Sequence, residues 1–325
     1  MRTIPSPLSS LRARSALILL LLLLSPSRPG AAVPMSAAPG TRMAGQRVLV
    51  TGAGRGIGRA IALICAGEGA RVAIASRTRP GLEETAGMIS SAASRGEVSG
   101  RCVGDGDGDD GDDDGDPVGI YVVDVTKEAE VEDMVGSIVS RWGGVDVLVN
   151  NAGGSQARKA PMEDLTADDL RRLLDLNVVS VQIVTSAVLR RAMLPAGSGR
   201  VVNVSSRAGK VGLPNNSHYV ASKFALEGIT ASLAEEVRER GVTVNTLSPG
   251  MVDTKSFPKP EGKKGVRTAE SVADGLMALL ESNVTGCYLH VDELDEARVA
   301  GLGDEMALKP IREAVFSTLR GIDGP

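Results

Sequence analysis

The chain has 325 residues, of which 42% are hydrophobic and 2% aromatic, so it can bury a large aliphatic core in one large domain or two small ones. Its net charge of −4 conceals two uneven regions, because residues 1–47 carry six arginines and no acid, and residues 105–116 carry eight aspartates and no base. The rest holds 30 basic and 32 acidic residues, a balance that argues against a nucleic-acid partner.

The N-terminal residues 1–32 are typical of a targeting segment. Three arginines within the first fourteen residues precede an unbroken apolar run of nine residues, 16–24, and small residues follow at 30–32. Nine residues are too few to span a bilayer, which takes about 20. We therefore expect a signal peptide on the secretory route, with a plastid or other organelle leader as the alternative. We expect no stable membrane span in the mature chain, and a linker over residues 33–44.

From residue 45 onward, short β-branched strands alternate with helical patterns. The predicted strands are 47–51, 71–75, 120–123, 145–149, 200–204 and 242–246, and the predicted helices are 56–68, 82–94, 127–142, 167–193 and 219–240. This alternation predicts an α/β fold, a doubly wound parallel sheet (Rossmann fold) with helices on both faces, as a single domain over 45–325. Ligands of such a sheet bind beyond the carboxyl ends of its strands.

The first strand leads into a glycine-rich turn, Thr51-Gly-Ala-Gly-Arg-Gly-Ile-Gly58, which opens a helix. Glycines allow a tight turn and a close approach of the backbone to a pyrophosphate. The free N–H groups at the start of the helix stabilise its charge. The turn therefore predicts a nucleotide site.

An acidic Gly/Asp segment over residues 104–117 interrupts the pattern, and we interpret it as a disordered insertion that cannot bury apolar surface. It lacks the apolar residues and the glutamate of an EF-hand loop, so we expect no specific metal site. The cysteines at 65, 102 and 287 are too far apart in sequence for a Cys-x-x-Cys motif, and we expect three reduced thiols.

Tyr219 and Lys223 lie one turn apart on a predicted helix, so their side chains share a face. A neighbouring cation favours the phenolate, and we expect it to lower the pKa of Tyr219 and make it a usable acid and base near neutrality. Ser206 precedes the tyrosine by thirteen residues.

With the glycine turn, with Asn150-Asn-Ala-Gly153 after the fourth strand and with Ser206, the Tyr219-x3-Lys223 pair resembles the short-chain dehydrogenase/reductase family over about residues 45–291. Further matches are Asp124-Val125, Asn177 and Pro249-Gly250.

The resemblance implies a role for each catalytic residue. Tyr219 would be the acid/base, and Ser206, rather than its neighbour Ser205, would donate a hydrogen bond to the substrate oxygen. Lys223 would lower the tyrosine pKa and bind the nicotinamide ribose. Asn177 would kink its helix and hold a water that relays protons from Lys223. The cofactor-binding residues would be Gly52, Arg55, Gly56, Ile57, Gly58, Ser76, Arg77, Asp124, Val125, Asn151, Ala152, Gly153, Tyr219, Lys223, Pro249 and Gly250.

The end of the second strand indicates which cofactor is preferred. NAD-preferring folds place an acid about 20 residues past the glycine turn, but here Ser76 and Arg77 occupy that point and no acid occurs before Glu83. Both side chains can hydrogen-bond a 2′-phosphate, and Arg55 adds a second cation, so we expect NADP(H) to be preferred over NAD(H). Solvated arginines are the alternative interpretation.

The substrate is less well defined. In the family, the segment after Pro249-Gly250 forms a mobile lid, and here residues 251–268 carry five basic residues against two acids. Such a lid would favour an anionic substrate such as an acyl thioester, and a solvated loop is the alternative. Phe257 and Tyr288 are candidate pocket walls. The chain departs from the family's Val-Asp-Gly-Gly ending, and residues 302–320 predict an extra helical tail.

The function predicted from the sequence is an NADP(H)-dependent oxidoreductase that acts on a small-molecule carbonyl or secondary alcohol. The alternative is a catalytically inactive NADP-binding sensor or scaffold, although all four positions of the Asn, Ser, Tyr and Lys set are filled. By family analogy we expect a homo-oligomer, dimer or tetramer, built on the helices over 167–193 and 219–240.

Overall fold

The structure is a computed structural model that describes residues 41–94, 117–254, 259 and 265–311. The predicted leader, most of the predicted linker, residues 104–116 of the acidic insertion, most of the lid and the end of the tail lie outside the described residues.

The described strands form an eight-stranded sheet and a separate two-stranded sheet. The strands are β1 Arg47–Thr51, β2 Arg71–Ser76, β3 Val118–Val122, β4 Val147–Asn150, β5 Gly199–Val204, β6 Val242–Ser248, β7 Met251–Val252, β8 Val266–Arg267, β9 Cys287–His290 and β10 Leu308–Pro310. The large sheet has the order β10-β9-β6-β5-β4-β1-β2-β3. Its pairs are parallel except for the edge pair β9–β10.

Helices cover both faces of this sheet. They are α1 Gly56–Gly67, α2 Arg79–Ser94, α3 Glu128–Trp142, α4 Ala167–Ala196, α5 Ser217–Val237, α6 Ala269–Glu281 and α7 Val291–Val299. Helices α1, α2, α6 and α7 contribute to one core layer, and α3, α4 and α5 to the other. Because side chains alternate along a strand, Val48 and Val50 of β1 enter the first layer and Leu49 the second. The predicted doubly wound α/β fold is confirmed.

Helix α4 is continuous but contains two π-helical turns, Asp175–Val179 and Leu189–Met193. Within the described residues it is the helix long and apolar enough to cross a membrane, with a mean hydropathy of 1.4. Half of that apolar window is buried inside the fold, and core helices pass the same test of length and composition.

The predicted helical tail is wrong over its described part. Glycines at 301 and 303 end the helical pattern after α7, and the chain forms a 3₁₀ turn, Asp304–Ala307, before β10. Strand β10 pairs antiparallel with β9, with Leu308 opposite Leu289. It thereby supplies hydrogen-bond partners to an edge strand that would otherwise present unpaired backbone groups.

The end of the predicted linker belongs to the fold. Met43 is fully buried in the first core layer, and its N–H donates to the carbonyl of Glu68. The Arg42 guanidinium forms ion pairs with Glu68 and Glu281. The folded domain therefore starts a few residues before residue 45.

Candidate active site

A cleft of about 620 Å³ opens at the carboxyl ends of the central strands. Eleven of the residues predicted to bind a cofactor line it: Gly52, Arg55, Gly56, Ile57, Gly58, Ser76, Arg77, Val125, Asn151, Ala152 and Gly153. Further lining residues that the prediction missed are Gly54, Arg59, Thr78, Pro80, Gly81, Glu84, Val123, Leu176 and Thr254.

The glycine turn forms one wall and leaves no space for side chains at Gly52 and Gly58. Gly52 has a φ of +68°, a left-handed conformation that favours glycine. A Cβ atom on Gly58 would lie 2.4 Å from the carbonyl oxygen of Gly52 and 2.4 Å from Nδ2 of Asn151. Helix α1 starts beside the cleft without a side-chain cap, so its first N–H groups remain available to an anion. The turn therefore fits a pyrophosphate.

The Asn-Asn-Ala-Gly loop after β4 is fastened to this turn through Thr51. The Thr51 hydroxyl oxygen accepts from the backbone N–H of Asn151 at 3.1 Å and of Ala152 at 3.0 Å. Nδ2 of Asn151 donates to the Thr51 carbonyl at 2.9 Å. These bonds connect the walls of the cleft across about 100 residues of sequence. Thr51 stands within the glycine motif, but nothing in the sequence names its partners.

The end of the cleft beyond β2 is cationic. Of the lining residues that the structure describes, Glu84 is the one acid, and Arg59 pairs with it through two 2.7 Å hydrogen bonds. Neither Arg55 nor Arg77 forms an ion pair with a described residue. The Ser76 hydroxyl donates to the Thr78 carbonyl at 3.1 Å, so it already has a partner in its own turn. The arginines are thus the groups best placed to meet a further negative charge.

Five predicted cofactor residues lie outside the lining of this cleft: Asp124, Tyr219, Lys223, Pro249 and Gly250. Oδ1 of Asp124 accepts from the N–H and hydroxyl of Thr126, at 3.0 and 2.8 Å, and Val123 and Val125 line the cleft instead. Pro249 and Gly250 follow β6 at the same edge of the sheet. A Cβ atom on Gly250, whose φ is +69°, would lie 2.8 Å from Asp292, so the loop packs against α7 there.

Ser206 and Tyr219 are brought together at the carboxyl end of β5. Ser206 caps a 3₁₀ turn with its hydroxyl oxygen, which accepts from the Ala208 N–H at 3.1 Å, and it is also hydrogen-bonded to the Tyr219 hydroxyl. The neighbouring Ser205 hydroxyl is buried and has no hydrogen-bond partner among the described residues. The structure therefore brings Ser206, rather than Ser205, to the tyrosine.

The pKa of Tyr219 departs from its usual value in the direction opposite to the sequence expectation. Burial raises this pKa, and the hydrogen bond with Ser206 opposes the rise only in part. Lys223 does not produce the expected lowering here, because its Nζ lies 5.8 Å from the tyrosine ring centroid and donates to the Val204 carbonyl at 2.9 Å. Burial therefore favours the neutral, protonated form of Tyr219.

Lys223 interacts electrostatically with Glu227, which belongs to a buried ion pair that the sequence did not predict. Burial lowers the pKa of Lys223 to about 8, while the charge of Glu227, one turn further along α5, opposes the fall. Oε2 of Glu227 lies 3.0 Å from Nζ of Lys210, and both side chains are fully buried. Lys210 also contacts the Tyr288 ring face at 4.6 Å and the Ile311 carbonyl at 3.4 Å. This cluster joins the Ser206 turn, the chain beyond β10 and α5, the catalytic helix that carries Tyr219 and Lys223.

Asn177 lies in the first π-helical turn of α4, as a distortion of that helix would require. Its buried side chain accepts from the Gly154 N–H at 2.8 Å and donates to the Gly154 carbonyl at 3.0 Å. It also donates to the Ser222 hydroxyl at 3.0 Å. Asn177 thus connects the loop after β4 to the residue that precedes Lys223. Its expected role in a water-mediated relay stays a prediction.

The described ends of the lid are tied to the fold. Strands β7 and β8 pair in parallel, with Met251 opposite Val266. Arg267, one of the five basic residues of this segment, is paired with Asp292 at 2.7 Å and Asp295 at 2.5 Å. Phe257 lies outside the described residues. Tyr288 packs beneath Lys210 in the core and is 4% exposed, so its expected place as a pocket wall is wrong.

The described part of the chain contains no group of three or more His, Cys, Asp or Glu side chains arranged to hold a metal ion. Cys65 and Cys287 are free thiols, and Cys102 lies outside the described residues.

Comparisons with known proteins point to one family. The family model described as short chain dehydrogenase matches residues 46–100 and 111–263. D-threitol dehydrogenase of Mycolicibacterium smegmatis is 34% identical over 268 residues, covering 82% of this chain and 89% of that protein. Levodione reductase of Leifsonia aquatica is 32% identical over 219 residues, covering 67% and 74%. The crystal structure of a short chain dehydrogenase from Burkholderia cenocepacia J2315 in complex with NADP has a TM-score of 0.63 and 30% identity, covering 77% of this chain and 97% of that one.

Proposed function

Because the chain belongs to the short-chain dehydrogenase family, whose members act on CH–OH and C=O groups, we propose that it is an NADP(H)-dependent carbonyl reductase with Tyr219 as its acid/base. The observation that carries the proposal is the hydrogen-bonded Ser206–Tyr219 pair after β5, at the same edge of the sheet as a cleft whose glycine turn and uncapped helix start fit a dinucleotide. When bound, the nicotinamide supplies or accepts the hydride.

The side chains of this chain supply proton transfer and orientation. In reduction, the Tyr219 hydroxyl donates its proton to the carbonyl oxygen, and the Ser206 hydroxyl donates a hydrogen bond to the same oxygen. The raised pKa keeps Tyr219 protonated at neutral pH, as a proton donor must be, but it also makes the phenol a weaker acid than an ordinary tyrosine. In oxidation the same tyrosine accepts the alcohol proton. By family resemblance, Lys223 binds the nicotinamide ribose hydroxyls and Asn177 holds the water that relays protons.

Preference for NADP(H) is supported by the cationic end of the cleft. Arg55 and Arg77 line it without an ion pair to a described residue, although the charge of Arg77 helps to lower the pKa of Asp124, and Arg59 already pairs with Glu84. A 2′-phosphate would find two guanidinium groups there, whereas Glu84, the one acid of the described lining and the candidate acceptor for a ribose 2′-hydroxyl, is already paired with Arg59.

An inactive nucleotide-binding sensor is the competing function. A protein that has lost catalysis is expected to have lost part of its Asn, Ser, Tyr and Lys set. All four residues are present here, at the ends of β5 and on the facing helices α4 and α5.

The experiment is a screen of the purified protein with aldehydes, ketones, quinones, pterins and acyl thioesters. NADPH oxidation is followed as the loss of absorbance at about 340 nm, where the reduced nicotinamide absorbs. Secondary alcohols and polyols with NADP⁺ test the reverse direction. Turnover with one class supports the enzyme, whereas NADPH binding without turnover of any class favours the sensor.

Assembly is also proposed by family analogy, as a homodimer through α4 and α5. The exposed apolar side chains Val179 on α4 and Phe224 on α5, 42% and 39% exposed, support this face. Light scattering during gel filtration tests the assembly, and Phe224→Glu should convert a dimer into a monomer.

The targeting role of residues 1–32 remains a proposal from the sequence. Fusing this segment to a fluorescent reporter tests it, and a reporter distributed as it is without the segment would contradict it.

A further inference from the structure

The loop after β4 contains a buried glutamine that contacts the first turn of the catalytic helix. Oε1 of Gln156 accepts from the backbone N–H of His218 at 3.0 Å and of Tyr219 at 3.4 Å. Its Nε2 donates to the carbonyls of Arg158 at 2.8 Å and Asn215 at 3.2 Å. A side chain that is 7% exposed thus has both ends of its amide satisfied.

The N–H groups of His218 and Tyr219 are those that normally donate to the side chain of a helix N-cap. The first N–H groups of a helix have no partner within it, and the side chain before the helix accepts from its second or third N–H. In α5 that preceding residue is Asn216, whose side chain makes no cap hydrogen bond. His218 and Tyr219 are the second and third residues of the helix. Gln156, about 60 residues earlier, therefore takes the place of the local cap.

The same amide fixes the turn that enters the helix. Asn215 has a φ of +60°, in the left-handed region that few non-glycine residues occupy. Its carbonyl accepts from Gln156 and from the N–H of Ala160. The entry angle of the helix is thereby set from the β4 side of the cleft rather than by the helix itself.

Gln156 also completes a line of hydrogen bonds between the cofactor turn and Tyr219. The loop begins at Asn151, held by Thr51 of the glycine motif, and continues through Gly154, held by Asn177. The line of hydrogen bonds ends at Gln156 of the same loop, whose Oε1 accepts from the backbone N–H of Tyr219.

We propose that Gln156 is a positioning residue that fixes Tyr219 relative to the cofactor turn, an inference that rests on the proposed function. Gln156 touches neither the Tyr219 hydroxyl nor the Ser206 pair, so it acts through the backbone. A displacement of about 1 Å at a reacting group can lower a rate by about 100-fold, so loss of this cap slows the chemical step even in a folded enzyme.

The test uses Gln156→Met, which keeps the length of the side chain and removes all four hydrogen bonds. Gln156→Asn, an amide one carbon shorter, serves the same purpose if the Met variant does not fold. Asn245→Leu is the matched control, because Asn245 is another buried amide that bonds backbone on both sides, to Val284 and Cys287.

The readouts are kcat per cofactor-binding site, the NADPH Kd and the primary deuterium isotope effect measured with deuterated NADPH. We expect the Gln156 variants to lower kcat by about 10- to 100-fold and to raise the isotope effect, with the Kd changed by less than about threefold. If Gln156 only stabilised the fold, its substitution would lower the fraction of folded enzyme and leave the isotope effect of the folded molecules unchanged.

An unchanged kcat and isotope effect in the Gln156 variant that folds would overturn the inference, as would equal changes in Asn245→Leu. Failure of the proposed function looks different, because the wild type would then show no NADPH-dependent turnover. If the wild type turns over substrate and the Gln156 variants have the same kcat and isotope effect, the proposed reductase function is supported and the positioning role of Gln156 is wrong.

Discussion

Arg77→Asp should reverse the cofactor preference. Arg77 follows β2 directly, lines the cleft and forms no ion pair with a described residue. The substitution places a carboxylate at the end of the second strand, where NAD-preferring folds carry an acid that binds the ribose 2′-hydroxyl. NADPH should therefore lose an attraction and gain a repulsion, while NADH should gain a hydrogen-bond acceptor.

The size of the effect follows from Coulomb's law. Two unit charges about 4 Å apart interact by about 1 kcal/mol in water, the appropriate limit for an exposed side chain such as Arg77. The substitution changes the side chain by two charges, and a phosphate monoester carries a charge of about −1.5 to −2 at neutral pH. The difference is about 3 kcal/mol at low salt, or about 100-fold in the ratio of kcat/KM for NADPH to that for NADH.

The assay measures kcat/KM for both cofactors at two ionic strengths, because screening should shrink the effect as salt is added. Arg79→Asp is the matched control, since Arg79 is also exposed, lies two residues further along and is not among the residues that line the cleft. An unchanged ratio in Arg77→Asp, or an equal change in Arg79→Asp, would refute the assignment.

Three further substitutions test the site. Gly58→Ala should weaken NADPH binding by about 100-fold or more in calorimetry, because its Cβ has no space, whereas Gly87→Ala, with open space around it, should not. Lys210→Met leaves the buried Glu227 carboxylate unpaired and should lower the free energy of unfolding by about 3 to 5 kcal/mol in urea; a loss below about 1 kcal/mol would contradict a buried pair. Between about pH 8 and 10, the free energy of unfolding should rise more steeply with pH in the cofactor-free wild type than in Lys223→Met. In this range the unfolded chain keeps the lysine proton, whereas folded Lys223, with a pKa of about 8, has released it. Equal slopes would exclude the lowered pKa.

The sequence predicted strands β1 to β6 because they are largely buried on both faces and read as continuous β-branched runs. The observed strands differ in their ends: β3 starts at Val118 rather than 120, and β4 starts at Val147 rather than 145. Strand β10 was missed because a three-residue edge strand has no periodicity of its own and forms only when β9 is beside it.

The candidate site was predictable where its chemistry depends on spacing along one element. The Tyr219 and Lys223 pair and the glycine turn are of this kind. The structure puts the glycine turn in the wall of the cleft and the pair next to the carboxyl end of β5. The pKa of Tyr219 could not be predicted, because it depends on burial by distant elements and on where the Lys223 ammonium points. Gln156 was missed for the same reason, since its partners are about 60 residues away.

The Tyr219→Phe variant tests the central claim most directly. Phenylalanine keeps the ring and its packing and removes only the hydroxyl that is bonded to Ser206. NADPH should bind with a Kd within about threefold of the wild type, and kcat on any carbonyl substrate found in the screen should fall by about 100- to 10,000-fold, the range that a general acid contributes. Turnover that survives in Tyr219→Phe at the wild-type rate would contradict Tyr219 as the acid/base and, with it, the proposed mechanism.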